Sequence, residues 1–118
     1  ESDIISLHCS LPKDGKPMIS KNEFHLMKKN AVIINTARGG LINENDLKEA
    51  LQNNIIKGAA IDVYLNEPVK ENPLFGTKNL ILTPHIAAST EESQIIVAKQ
   101  IAIQISNYFN KGEVINSV

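Results

Sequence analysis

Four places along the chain set polar or reactive side chains directly after a short apolar run. Ile4-Ile5-Ser6-Leu7 leads into His8-Cys9-Ser10, and Ala31-Val32-Ile33-Ile34 leads into Asn35-Thr36-Ala37-Arg38. Ala59-Ala60-Ile61 leads into Asp62, and Leu80-Ile81-Leu82 into Thr83-Pro84-His85. A carboxylate, a guanidinium and imidazoles gathered at one edge can hold an anion and move a proton. Each residue alone also has a bland explanation, since strand ends run into polar loops. Asp62 lies inside Gly58-Ala59-Ala60-Ile61-Asp62-Val63, where an ionised carboxylate is costly without partners; a loop cap and a ligand contact fit it equally. Arg38 precedes Gly39-Gly40, which lets the backbone turn sharply or admit a ligand closely, though a surface arginine beside a turn looks the same. His85 fits a proton donor, a hydrogen-bonded loop residue or a metal ligand. The metal option is weakest, because neither His8 nor His25 stands at a recognised ligand spacing, and no metal site is expected. Glu67 sits in a long loop, where most glutamates are solvated. Cys9 reads more readily as a small buried hydrophobe than as a nucleophile, and His25 receives no role. Arg-Gly-Gly is not a phosphate loop, and the chain has neither G-x-G-x-x-G nor a P-loop.

The elements that must position these groups are legible from the same runs. The apolar stretches are nearly continuous rather than alternating, as in parallel strands covered on both faces. Ser20-Lys21-Asn22-Glu23 is a capping box that opens a short helix with Phe24 and Met27 inward. Asn43 can cap a second helix whose Leu47, Ala50 and Leu51 share one face. Ser89-Thr90-Glu91-Glu92 opens the longest helix, which carries Ile95, Ile96, Ala98, Ile101, Ala102, Ile105 and Phe109 and stops near Lys111-Gly112. The predicted order is strand, helix, strand, helix, strand, long loop, strand, helix. That alternation gives an α/β fold, an open parallel sheet of about four strands with flanking helices. In such sheets the ligand crevice lies beyond the carboxyl ends of the strands, where the polar residues fall. The loop from about Leu65 to Lys78 is unusually long, which favours a functional role.

Composition narrows the partners. Twelve basic and thirteen acidic residues leave a formal charge of -1, which gives no electrostatic case for nucleic acid. No run is apolar for the roughly 18 residues that a membrane helix requires. One cysteine, Cys9, excludes an internal disulfide and fits a reducing, cytoplasmic setting. The chain enters a strand-like run almost at once, so its start is expected to be a cut through a longer protein.

Three segments resemble the signatures of the D-isomer-specific 2-hydroxyacid dehydrogenase family. They are Asn35-Thr36-Ala37-Arg38-Gly39-Gly40-Leu41-Ile42-Asn43-Glu44, Gly58-Ala59-Ala60-Ile61-Asp62-Val63-Tyr64-Leu65-Asn66-Glu67-Pro68, and Leu82-Thr83-Pro84-His85-Ile86-Ala87-Ala88-Ser89-Thr90. Asp3-Ile4-Ile5-Ser6-Leu7-His8-Cys9 is similar too, and the likeness runs over residues 1–118 in order. It implies the second half of a Rossmann-type NAD-binding domain, with NAD as cofactor and hydride exchange with a small 2-hydroxyacid; the phosphoglycerate-specific branch is the most similar. By the same resemblance Arg38 grips the substrate carboxylate, His85 is the general acid/base, and Glu67 is the carboxylate that fixes the histidine ring. A planar guanidinium fork suits a carboxylate bidentately, as lysine does not. Asp62 falls where the family meets the nicotinamide carboxamide. Cys9, Thr36, Ala37, Ala87 and Ala88, with Arg38 and His85, fall among its cofactor contacts.

Departures from the pattern are Ser10, where proline is frequent, and Ala87, where glycine is frequent. The family's glycine-rich fingerprint and its substrate-binding domain are expected upstream of or outside residues 1–118, along with the residue that discriminates NAD from NADP. The resemblance also implies a homodimer or larger homo-oligomer of the complete protein. Two other readings share the motifs: an NAD-sensing corepressor of the same fold, and a stand-alone module without chemistry. The piece by itself is expected to bind NAD poorly, and its first strand to expose a pairing edge.

Overall fold

The computed structural model describes residues 1–116. Its elements follow the predicted order: β1 (Ile4–Leu7), α1 (Lys21–Leu26), β2 (Val32–Asn35), α2 (Glu44–Gln52), β3 (Gly58–Ile61), β4 (Leu80–Leu82) and α3 (Glu91–Lys111). The four strands form one parallel sheet in the order β1-β2-β3-β4. Ile4 pairs with Val32, Val32 with Gly58, and Ala59 with Leu80, so the carboxyl ends of all four strands come out along one edge. β2 starts one residue later than its apolar run, because the Ala31 amide closes a turn onto the Lys28 carbonyl at 2.9 Å. It also ends one residue later, taking in Asn35.

Two compact units divide the chain, Glu1–His85 and a second that begins at Ile86. The core of the first takes in the predicted Phe24, Ile33 and Leu47, all fully buried, and adds Leu41 and Leu74, which the helix and strand patterns did not mark. Burying a side chain of that size stabilises by roughly 1.5–3 kcal/mol. α1 opens with the Glu23 carboxylate accepting the Ser20 amide at 2.9 Å, and Met27 falls just past its end, packed on the core. Asn43 caps α2 by accepting the Asn45 and Asp46 amides, which satisfies donors a helix start leaves open.

No helix joins β3 to β4. The connection is nevertheless anchored, with Leu74 sunk in the core. Glu44 accepts the Leu65 amide at 3.0 Å through Oε1 and the Asn72 side-chain amide at 2.8 Å through Oε2. The second unit consists chiefly of α3, capped by Thr90 on the Ser93 amide and ended by Gly112 at φ 70°. Its apolar residues are present as predicted, yet none of its side chains is buried.

Candidate active site

The site begins with a turn that Asn35 builds at the end of β2. Its side chain is only 2% exposed; Nδ2 donates to the Arg38 carbonyl at 2.9 Å and Oδ1 accepts the Ala37 amide at 3.1 Å. One buried amide thus folds Thr36, Ala37 and Arg38 into a fixed loop, satisfying main-chain groups that would otherwise be stranded. The loop then passes extremely close to the chain leaving β3. A β-carbon at Gly39 would lie 1.7 Å from the Tyr64 carbonyl oxygen, so only glycine fits. Arg38 is exposed, and its Nη1 donates to the Ala37 carbonyl at 2.7 Å.

At the end of β3, Asp62 is 3% exposed and its Oδ1 accepts the Thr83 hydroxyl at 2.5 Å. The carboxylate therefore bridges two neighbouring strand ends. Two residues on, the Tyr64 amide donates to Glu67 Oε1 at 2.9 Å. The second oxygen of that carboxylate, Oε2, meets His85 Nδ1 at 2.6 Å. An ionised carboxylate only accepts, so Nδ1 carries the proton and Nε2 is the ring nitrogen left to exchange one. Hydrogen bonding from His85, then from the Tyr64 amide, holds the Glu67 carboxyl below its ordinary value against a smaller opposing effect of burial. His85 itself has φ 55°, a left-handed backbone uncommon for any residue but glycine and found disproportionately at functional sites. The Glu67-Pro68 peptide is cis.

These residues line two clefts at the same sheet edge. His8, Cys9, Ser10, Thr36, Ala37 and Arg38 surround a space of about 350 Å³. Tyr64, Glu67, Pro68, Val69, Pro84 and His85 surround one of about 450 Å³. Cys9 is exposed rather than buried, with its thiol 3.9 Å from the Met18 sulfur. Ala87 and Ala88 belong to the second unit, where their carbonyls accept from the Ser93 hydroxyl at 3.3 Å and the Gln94 side chain at 2.6 Å. Among the described residues no cluster of three metal-ligating side chains occurs, and no helix is long and apolar enough to cross a membrane.

Residues 1–87 match the family described as D-isomer specific 2-hydroxyacid dehydrogenase, NAD binding domain. The chain belongs to this family. It is 45% identical over 117 residues to a D-3-phosphoglycerate dehydrogenase of Methanocaldococcus jannaschii, covering 99% of this chain and 22% of that protein. A glyoxylate reductase of Thermococcus litoralis is 43% identical over 114 residues, covering 97% of this chain and 34% of the relative. Among solved structures, a glyoxylate reductase from Paecilomyes thermophila superposes with a TM-score of 0.76 at 35% identity, covering 97% of this chain and 35% of the other. The chain thus spans between a fifth and about a third of the relatives it matches. The fold is the open parallel α/β sheet that the alternating runs predicted, and the Rossmann type that the resemblance implied.

NAD is the cofactor of this dehydrogenase domain family. The lining of the first cleft carries hydroxyl and thiol groups, one guanidinium and no carboxylate, a donor-rich set that favours an anionic ligand. Three residues that matter to the geometry escaped the sequence reading as functional groups: Asn35, Tyr64 and Glu44. Each acts through hydrogen bonds to main chain, and only Asn35, a turn-former at a strand end, carried a local signal.

Proposed function

We propose that the complete protein exchanges a hydride between NAD(H) and a D-2-hydroxyacid/2-ketoacid pair. The observation that carries this reading is the Glu67–His85 contact of 2.6 Å, with the far oxygen of Glu67 tied to the Tyr64 amide. A histidine fixed in this way is a general acid/base with one defined proton-exchanging nitrogen. During reduction of the ketone Nε2 gives its proton to the nascent alkoxide; during oxidation it takes the hydroxyl proton. Glu67 keeps the ring in one tautomer and offsets the positive charge of the imidazolium. Arg38 has one N–H on the Ala37 carbonyl, and the rest of its fork receives the substrate carboxylate. Asp62, Thr36 and Ala37 serve the nicotinamide end of the cofactor, and Cys9, Ala87 and Ala88 are assigned to neighbouring cofactor contacts. When bound, NAD supplies or accepts the hydride.

For the substrate pair we infer 3-phosphoglycerate and 3-phosphohydroxypyruvate, which would put the protein in serine biosynthesis as a cytoplasmic homo-oligomer. Support comes from the 45% identity to a D-3-phosphoglycerate dehydrogenase, with glyoxylate reduction a rival at 43% identity to a glyoxylate reductase. The test is steady-state kinetics of the full-length protein with NADH and a panel of phosphohydroxypyruvate, hydroxypyruvate, glyoxylate and pyruvate. The expected result is the highest kcat/KM for phosphohydroxypyruvate, with turnover lost in His85→Gln. A preference for glyoxylate overturns the substrate, and absence of turnover with every ketoacid overturns the enzyme.

A further inference from the structure

Tyr64 bonds Glu67 and the segment that leads into His85, through different atoms. Its amide donates to Glu67 Oε1 at 2.9 Å, and its phenol donates to the Thr83 carbonyl at 2.8 Å, two residues before His85. The ring is 5% exposed and lies in the core cluster, so the hydroxyl approaches the end of β4 from a rigid base. Thr83 is fixed by two further bonds, from its amide to the Ile61 carbonyl at 3.0 Å and from its hydroxyl to Asp62. β4 is only three residues long, and His85 follows it with a left-handed backbone and a half-exposed side chain. Such a residue holds its place only if the chain before it is held. Burial, aided by the Asp62 and Glu44 charges, raises the phenol above its ordinary value, so it stays a donor throughout the working range.

We propose that Tyr64 is a positioning residue that sets the distance and tautomer of the Glu67–His85 pair, by clamping Glu67 with its amide and the Thr83-Pro84-His85 segment with its hydroxyl. The inference deepens the acid/base reading of that pair and rests on it for its kinetic consequence. Packing and the amide contact to Glu67 would be served equally by phenylalanine; the hydroxyl's bond to the Thr83 carbonyl is what distinguishes the roles.

The experiment is Tyr64→Phe in the full-length protein, with the His85 ring nitrogens followed by ¹⁵N NMR and assigned by their loss in His85→Gln. Glu67→Gln supplies the reference for a ring without its carboxylate. The expected result is a neutral ring moving from the Nδ1–H tautomer toward the Nε2–H form, in the direction of the Glu67→Gln spectrum. Along with it kcat should fall about three- to ten-fold while KM for NADH stays within about two-fold, the loss expected when a hydrogen bond of ordinary strength is removed. A wild-type tautomer population in Tyr64→Phe overturns the proposal. If the wild-type protein reduces no ketoacid, the acid/base reading fails, and the ring nitrogens alone decide positioning. Should Tyr64→Phe not fold, 4-aminophenylalanine at position 64 fills the same hole with a weaker donor. An intermediate tautomer population then supports the clamp, and an unchanged one overturns it.

Discussion

The α-carbon of Gly39 packs so closely on Tyr64 that a β-carbon there would sit 1.7 Å from the Tyr64 carbonyl oxygen and 2.8 Å from the Leu65 amide nitrogen. This contact joins the turn that carries Arg38 to the loop that carries Glu67. The obstacle is backbone on both sides, so neither partner can rotate away as a side chain would.

Gly39→Ala should therefore destabilise the protein by about 3 kcal/mol or more, at or above the upper end of ordinary overpacking costs. Urea unfolding would show this as a lower midpoint with an unchanged slope. A midpoint near wild type would mean that the turn can move without cost. Activity should fall further than stability accounts for, because relief of the clash separates Arg38 from the Glu67 loop.

The Glu67 carboxyl is held below its usual value of 4.5 by the hydrogen bond from His85 and then by that from the Tyr64 amide. A depressed folded value means that the unfolded chain binds the proton more readily. The stability contributed by this carboxylate is thus complete above pH 4.5 and is lost as pH falls through the lower folded value. Denaturant titrations of wild type and Glu67→Gln should differ by a constant amount above that pH and converge below it. A difference independent of pH down to the acid limit would remove ionisation as the cause. In the assay, Glu67→Gln has no charge and a single oxygen for two donors; with that oxygen on the Tyr64 amide its NH2 faces Nδ1, and kcat should drop by about 10²-fold, the low end for general acid/base groups.

Much of the scaffold was readable because its signals are local. Asn43 before Glu44-Asn45-Asp46, the face of Leu47, Ala50 and Leu51, and the four apolar runs all express contacts within a few residues or a simple period. Arg38, Asp62 and His85 were singled out by position at strand ends and Glu67 by family resemblance, and the fold brings Glu67 and His85 into contact. What stayed hidden was long-range main-chain bonding. Tyr64 reaches Thr83 across 19 residues and Glu44 reaches Leu65 across 21, and no periodicity records either. The apolar period of α3 states which residues favour burial, but in this chain none of them is buried.

Asn35 supplies a donor and an acceptor to one turn from a buried position. Asn35→Ala strands the Ala37 amide and the Arg38 carbonyl together, and should cost roughly 2–4 kcal/mol at about 1–3 kcal/mol per unsatisfied group, less whatever water recovers. Loosening the Arg38 turn should raise KM for the ketoacid more than it lowers kcat. Asn35→Asp makes the sharper control, since it keeps the acceptor for Ala37 and loses the donor to Arg38. An aspartate variant with wild-type KM would show that the Arg38 carbonyl does not need its tether.

Asp62 and Thr83 test the cofactor side. The Thr83 hydroxyl donates to a carboxylate that is nearly fully buried, and hydrogen bonds to charged groups contribute about 1.5–3 kcal/mol. Thr83→Val keeps the branched shape and removes that donor. It should lower stability by an amount in this range and weaken NADH binding several-fold in fluorescence titrations, because the Asp62 carboxylate loses one of the bonds that orient it. Asp62→Asn retains hydrogen-bonding capacity without the charge, so the double variant should lose less than the sum of the two singles. Full additivity in that cycle would mean that Asp62 and Thr83 act independently, and the short contact between them would then have no part in holding the cofactor.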